Sequence, residues 1–374
     1  MSSELLDALT LLEKEKGISS DVLIEAIEAA LISAYKRNFN QAQNVRVDLN
    51  LANGSMRVFA RKDVVDEVYD SRLEISVEEA RSINPNYGVN DVVEIEVTPR
   101  DFGRIAAQTA KQVVTQRVRE AERGVIYSEF MDREDDIMTG IVQRIDSKFI
   151  YVSLGKIEAL LPANEQMPNE KYKPHDRIKV YITKVEKTTK GPQIFVSRTH
   201  PGLLKRLFEI EVPEIYDGTV EIKSVAREAG DRSKISVHSD NDEVDPVGSC
   251  VGPKGQRVQA VVNELKGEKV DIVRWSEDPV VFVANALSPS KVLDVMVNEN
   301  EKATTVVVPD YQLSLAIGKR GQNARLAAKL TGWKIDIKSQ SEAEESGIYP
   351  REGISFFDDE TDDDTFDLHI EEIE

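Results

Sequence analysis

The chain is short of the residues on which most enzyme chemistry depends. Among its 374 residues there is one cysteine, Cys250, and there are four histidines, His175, His200, His238 and His369. A single thiol excludes an intrachain disulfide and fits a reducing compartment. The histidines are scattered, and there is no Cys/His cluster, no HExxH and no Walker loop. Structural zinc, zinc-protease and P-loop chemistry therefore have no carrier, and no catalytic residue, metal or cofactor is assigned. Cys250 has no evident base to activate it. No apolar run approaches the roughly 18 residues a membrane span needs. The opening Leu5-Leu6-Asp7-Ala8-Leu9 runs at once into Glu13-Lys14-Glu15-Lys16, which does not read as a signal segment, so the expected location is cytoplasmic.

Charge is what the chain has in excess. The net charge is −19, which taken whole argues against nucleic acid. Its distribution reverses that. Residues 341–374 hold fourteen acids, among them Asp358, Asp359, Asp362, Asp363 and Asp364, against Arg351 alone, and so carry −13 of the total. Such a block is expected to be a disordered acidic tail, either solubilising or competing with nucleic acid for basic surfaces. It lacks the glycine and spacing of an EF-hand.

Two matching loops stand out in the remainder, Gly252-Pro253-Lys254-Gly255 and Gly318-Lys319-Arg320-Gly321, 66 residues apart. Each opens an amphipathic helix (Gln256 to Leu265, Gln322 to Leu330). A glycine (Gly267, Gly332) and a short strand-like run containing Asp271 or Asp336 follow. A GxxG turn lets a phosphate backbone approach the main chain, and a helix N-terminus favours anions. One such loop alone reads as a helix-entry turn. Two, both basic at the centre and both followed by glutamine, resemble tandem KH modules, whose GxxG loops clamp a nucleotide backbone. The residues expected at RNA are Gly252, Pro253, Lys254, Gly255 and Arg257, with Gly318, Lys319, Arg320, Gly321, Asn323 and Arg325.

Residues 1–125 read as an α+β domain. Leu5, Leu6, Leu9 and Leu12 fit a helix face, and Ser19-Ser20-Asp21 caps a second helix ending in Lys36-Arg37-Asn38. Alternating runs follow (Val45–Leu49, Met56–Ala60, Val92–Val97), with a turn signal at Asn53-Gly54. Residues 100–123 form a long helix on which Arg104 and Lys111 share a face, either a solvated flank or a basic stripe. A polar connector is expected at 126–136. Five short strands in 137–199 suit an OB barrel and resemble the ribosomal-S1 type. Phe149 and Tyr151 would lie near its RNA face, with barrel core as the plainer alternative, favoured for Phe149. The pattern departs from the S1 type at Lys148 and Pro162, where an aromatic and a histidine are common. Helix–strand–strand–helix–GxxG–helix–strand, the bacterial KH order, then fills 200–277. A second unit spans 278–340, with a polar joint between Asp294 and Glu301. With no long linker between them, the two KH units are expected to form one rigid platform.

This order, with the runs Asp245–Ile272, Pro309–Asn323, Ala26–Leu31 and Phe102–Lys111, resembles the NusA family of bacterial transcription elongation, termination and antitermination factors over about residues 1–340. The expected fold is thus multidomain α+β: an N-terminal polymerase-binding domain, an S1-type OB barrel, two tandem KH domains and the acidic tail. The resemblance implies a non-enzymatic, monomeric RNA-binding factor. Its partners would be RNA polymerase, single-stranded nascent RNA, RNA hairpins and other Nus antitermination factors. Lys36, Arg37, Arg104 and Lys111 resemble the family's hairpin-facing positions, and Tyr151 its barrel contact. The chain looks like the shorter Gram-positive form without C-terminal repeats. Two other readings stay open. One is a subunit of a phosphorolytic RNA-decay nuclease, which would need a carboxylate cluster that 1–125 does not show. The other is a ribosome-associated RNA-binding protein, which co-purification would separate.

Overall fold

The computed structural model describes residues 19–39, 44–50 and 55–349. The first leucine face, the Asn53-Gly54 turn and residues 350–374 of the acidic tail lie outside the described residues. The chain divides into two units, Met1–Glu129 with Lys187–Pro192, and Phe130–Glu186 with Gln193–Glu374.

In the first unit, α1 (Ser20–Phe39) places Leu23, Ile27, Leu31, Ala34 and Tyr35 at helical spacing, and all five are buried. Asp21 sits in its first turn and Lys36 and Arg37 in its last, where the helix dipole favours each sign. β1 (Asn44–Asn50) pairs antiparallel with β2 (Ser55–Val65). β2 also carries a short parallel strand, β3 (Glu74–Ser76), and the antiparallel β4 (Val92–Glu96). Between β3 and β4 runs α2 (Val77–Ile83), whose first turn is capped by the Ser76 side chain. α3 (Phe102–Met131) is longer than the sequence pattern suggests. It absorbs the first half of the expected connector, because Ile126, Tyr127 and the buried Phe130 continue the apolar pattern beyond 123. Phe102 packs edge-on against Tyr35 at 5.7 Å, so the end of α1 meets the start of α3.

The second unit opens with five strands, β5 (Ile137–Ile145), β6 (Phe149–Ser153), β7 (Glu158–Pro162), β8 (Arg177–Thr188) and β9 (Gly191–Ser197). They close a barrel in the order β5-β6-β7-β9-β8, the OB arrangement. The first KH unit follows: α4 (Pro201–Glu211), α5 (Pro213–Tyr216), β10 (Glu221–Glu228), β11 (Arg232–His238), α6 (Pro246–Val251), α7 (Gln256–Glu264) and β12 (Lys269–Arg274). The second repeats the theme: α8 (Pro279–Ala286), β13 (Asp294–Asn298), β14 (Ala303–Val308), α9 (Leu313–Ile317), α10 (Gln322–Thr331) and β15 (Lys334–Ser339). Both sheets have one antiparallel and one parallel pairing. The expected polar joint after Asp294 is strand β13. Its Val295 and Val297 pack against the core of the second KH unit, while Asp294 and Asn298 give the segment its polar look. A last helix, α11 (Gln340–Glu345), closed by a Ser339–Glu342 capping box, carries the folded chain past residue 340, where the acidic composition sets in. Among the described residues, no helix is long and apolar enough to cross a membrane.

Barrel and first KH unit share a core: Met167 and Tyr181 of the barrel pack with Leu203, Leu207, Phe208, Val261 and Leu265. Buried charge reinforces that joint. The Arg198 side chain, 1% exposed, donates from Nε to Glu170 at 3.1 Å, from Nη1 to the Lys179 carbonyl at 2.7 Å and from Nη1 to Glu264 at 3.1 Å. Its Nη2 also pairs with Glu170. A second buried pair, Arg227–Glu268 at 2.8 Å, ties in the His200 carbonyl through Arg227 Nη1 and the Gly230 amide through Glu268. The KH units in turn share a core, in which Ala226 and Val273 of the first pack with Leu326, Ala327 and Leu330 of the second.

Removing one partner of a buried ion pair leaves the other uncompensated. Arg198→Met should cost about 3–5 kcal/mol in chemical denaturation. Arg117→Met, which breaks a half-exposed pair with Glu120 on α3, should cost under about 1 kcal/mol. Equal costs would contradict the assignment of Arg198 as the barrel–KH joint.

Candidate nucleic-acid interface

The two GxxG loops have nearly the same backbone. Gly252 sits at φ 73°, ψ 175° and Gly318 at φ 74°, ψ 171°, a region open essentially to glycine alone. Lys254 and Arg320 are both left-handed (φ 51° and 55°), as are Gly255 and Gly321 (φ 71° and 72°). Each loop closes through the fourth residue's amide on the first residue's carbonyl, at 3.1 and 3.0 Å. Lys254, Lys319 and Arg320 are exposed, and no carboxylate among the described residues pairs with them. Pro253 removes an N–H that Lys319 retains, so the second loop offers one more main-chain donor and one more cation.

The loops are braced by the same device made from different residues. Arg257 lies five residues after Gly252, and Asn323 five after Gly318. Arg257 Nη1 donates to the Ser249 carbonyl and pairs with Glu214 at 2.9 Å. Asn323 Nδ2 donates to the Leu315 carbonyl at 3.5 Å, and to Ala316 and Leu287 at 3.1 and 3.0 Å. Ser249 and Leu315 are themselves 66 residues apart. The crossing side chain leaves no room at the first glycine. A Cβ there would sit 2.6 Å from Arg257 Cγ in one loop and 2.8 Å from the Cβ and the main-chain nitrogen of Asn323 in the other. This corrects the expectation that Asn323 faces RNA: it is buried, and it holds the loop from within. Arg257 is likewise engaged in bracing. Arg325 is exposed, but its guanidinium grips Glu228 at 2.6 Å. Cys250 is fully buried where the second unit has Ala316, and burial pushes its thiol up to about 12, so it is a filler and no nucleophile.

On the barrel, Phe149, Tyr151 and Ser153 share the half-exposed face of β6, while Ile150 and Val152 fill the core. Phe149 is therefore not the core residue that the sequence pattern favours. The Arg144 guanidinium lies 3.6 Å from the Tyr151 ring centroid, and the Asp146 carboxylate accepts the Lys148 and Phe149 amides at 2.7 and 2.8 Å. Those amide bonds, that of Phe149 first, hold the Asp146 carboxyl below its ordinary value.

In the first unit, Arg104 and Lys111 are exposed on α3, and Lys36 and Arg37 are exposed on the last turn of α1. The Tyr35–Phe102 packing brings the last turn of α1, which carries Lys36 and Arg37, to the first turn of α3, which carries Arg104. The acids that engage the KH-unit arginines, Glu214 with Arg257 and Glu228 with Arg325, left no sequence signal, since each is a common residue far along the chain from its partner.

Comparison with known proteins agrees with this layout. A NusA N-terminal domain model matches residues 4–124 and an S1 RNA binding domain model 131–197. NusA-like first and second KH domain models match 198–275 and 279–345. The chain is 88% identical to the transcription termination/antitermination protein NusA of Bacillus subtilis, over 94% of this chain and 95% of that one. It is 80% identical to the protein of that name from Halalkalibacterium halodurans, over 95% and 93% of the two chains. The Thermus thermophilus protein of that name is 44% identical over 90% of each.

The geometry separates the two glycines of a loop. Gly318→Ala meets both a glycine-only conformation and the Asn323 backbone, whereas Gly321→Ala meets left-handed strain alone, with its nearest neighbour 4.0 Å away. Gly321→Ala should cost about 1–2 kcal/mol in a denaturant melt, and Gly318→Ala distinctly more. The reverse order would refute the bracing role of Asn323.

Proposed function

The chain belongs to the NusA family of transcription termination/antitermination proteins, and from that premise we propose how its surfaces divide the work on RNA polymerase and its transcript. It is an RNA-binding transcription termination/antitermination factor built from a NusA N-terminal domain, an S1 domain and two KH domains. In this reading it acts in the cytoplasm without catalysis. The N-terminal domain, residues 1–125, docks on RNA polymerase, and the barrel at 137–199 and the KH units at 200–277 and 278–340 hold the emerging single strand. Binding and orienting RNA then biases the polymerase between pausing, terminating and continuing.

The observation that carries the reading is the pair of loops with one backbone conformation and unpaired cations at their centres. Lys254, Lys319 and Arg320, with the main chain of the four glycines, contact the phosphate backbone. Arg257 and Asn323 keep the loops in shape. Tyr151, already backed by Arg144, offers its other ring face to a base. Lys36, Arg37, Arg104 and Lys111 face the stem of an RNA hairpin. The loops are unequal: the second carries twice the side-chain charge.

Charge reversal at loop centres tests the grip without disturbing the glycines. Lys254→Glu should weaken single-stranded RNA binding, and Lys319→Glu with Arg320→Glu should weaken it further. The slope of log affinity on log salt should fall by about 0.7 for each phosphate that is no longer neutralised. Unchanged affinity at matched salt would refute the loop assignment. Separately, Arg104→Ala with Lys111→Ala should shorten hairpin-dependent pauses in a purified transcription assay while leaving hairpin-independent pauses as they are. If both pause classes respond equally, those residues do not face the hairpin.

A further inference from the structure

We propose that Glu228, the last residue of β10 in the first KH unit, is a positioning residue for the RNA grip of the second unit. The proposal rests on the reading that both loops hold one strand. Arg325 donates to the two Glu228 carboxylate oxygens at 2.6 and 3.1 Å, and the Gln322 amide adds a third bond at 3.0 Å. Gln322 also reaches Asp231 at 2.8 Å. Gln322 and Arg325 lie three residues apart, on one face of the first turn of α10, the turn that carries the second GxxG loop at its head. The chain of hydrogen bonds continues into the loop, because Arg325 Nη1 donates to the Arg320 carbonyl at 3.1 Å. A carboxylate on one KH unit is thereby strapped to the main chain of the other unit's phosphate-binding loop.

Nothing equivalent among the described residues ties the first loop across the seam. Gln259 stands 66 residues before Arg325, and its amide bonds to Asn263 along its own helix at 2.9 Å. The first loop is braced from within its own unit by Glu214. The strap is half exposed, with side chains 46% and 22% accessible, so it adds little to stability, which the shared apolar core supplies. What it fixes is direction. The core residues Ala226, Val273, Leu326, Ala327 and Leu330 are smooth aliphatic groups that tolerate small slides, whereas a bidentate guanidinium–carboxylate pair sets the first turn of α10 at one angle to β10. A crevice of about 380 Å³ beside it is lined from both units, by Asp231, Arg232 and Lys269 and by Gly318, Lys319 and Gln322. A strand crossing from one loop to the other gains affinity only if the second loop already points along its path.

The test compares two RNAs on the full chain by fluorescence anisotropy. One is about four nucleotides long, enough for one loop, and the other about ten, enough for both. Glu228→Gln and Arg325→Gln should each weaken the long RNA about fivefold, Glu228→Gln should leave the short one unchanged, and the double variant should lose no more than either alone. Three results would overturn the proposal. Long-RNA affinity could stay the same or rise in Glu228→Gln, as it would if Glu228 merely masked Arg325 from phosphate. Both RNAs could weaken equally. The double variant could lose the product of the single losses. Lys319→Glu with Arg320→Glu, run beside these, separates the two levels. If it weakens RNA while Glu228→Gln does not, the strap is wrong and the loop reading stands; if it changes nothing, the loop reading itself has failed.

Discussion

Arg198 is the residue on which the RNA-binding half of the molecule depends. It is almost wholly buried, yet it reaches Glu170 of the barrel and Glu264 at the end of α7 in the first KH unit, while the chain runs from it, just past the end of β9, into α4. Buried ion pairs of this kind do not make a protein more stable than well-packed aliphatic groups would. What they enforce is one arrangement, since any other leaves a carboxylate or guanidinium unsatisfied in the interior. Arg227 with Glu268 repeats the device along the same joint, and both pairs sit beside the apolar core shared by Met167, Tyr181 and Leu207. The barrel is therefore set against the first KH unit before any RNA arrives.

The same logic of one geometry from different parts runs through the GxxG loops. Their dihedral angles agree within a few degrees although only the glycines are shared between the four-residue motifs. Arg257 and Asn323 do the same bracing with a charged and a neutral side chain, and Cys250 and Ala316 fill the same buried space. A repeat that had to keep only a fold would vary in its loops first. Here each substituted side chain reaches back to an equivalent carbonyl, so the loop conformation is what the packing protects. Function follows from that conformation: two turns with main chain exposed and cations unpaired, on units that share a core, suit a continuous phosphate backbone.

The elements that repeat or alternate were legible in the sequence. The five barrel strands, both GxxG helices and the order of the KH elements follow from period-two runs, glycine punctuation and the 66-residue offset. Segments whose local composition contradicts their surroundings were not. Asp294–Asn298 reads as polar, yet it is a strand because Val295 and Val297 pack into the core of the second KH unit. Residues 126–131 read as the start of a connector, yet they extend α3 because Phe130 finds a buried site. Site residues divide the same way. The loop cations could be named from spacing, but whether an arginine is free or engaged depends on partners 43 residues away for Arg257 and 97 for Arg325, which no local pattern encodes. Asn323 shows the limit most plainly, since a polar residue after a basic loop looks like an RNA ligand and is instead an internal brace.

The barrel and both KH units must therefore form one rigid body, so that the path of the RNA is built in beforehand. Spin labels introduced as Lys148→Cys on the barrel and Glu299→Cys in the second KH unit occupy exposed positions, and the buried native Cys250 stays unlabelled. Pulsed dipolar spectroscopy between the two labels, without RNA, should give a single narrow distance distribution that RNA leaves in place. A broad or multimodal distribution that sharpens only when RNA binds would contradict it.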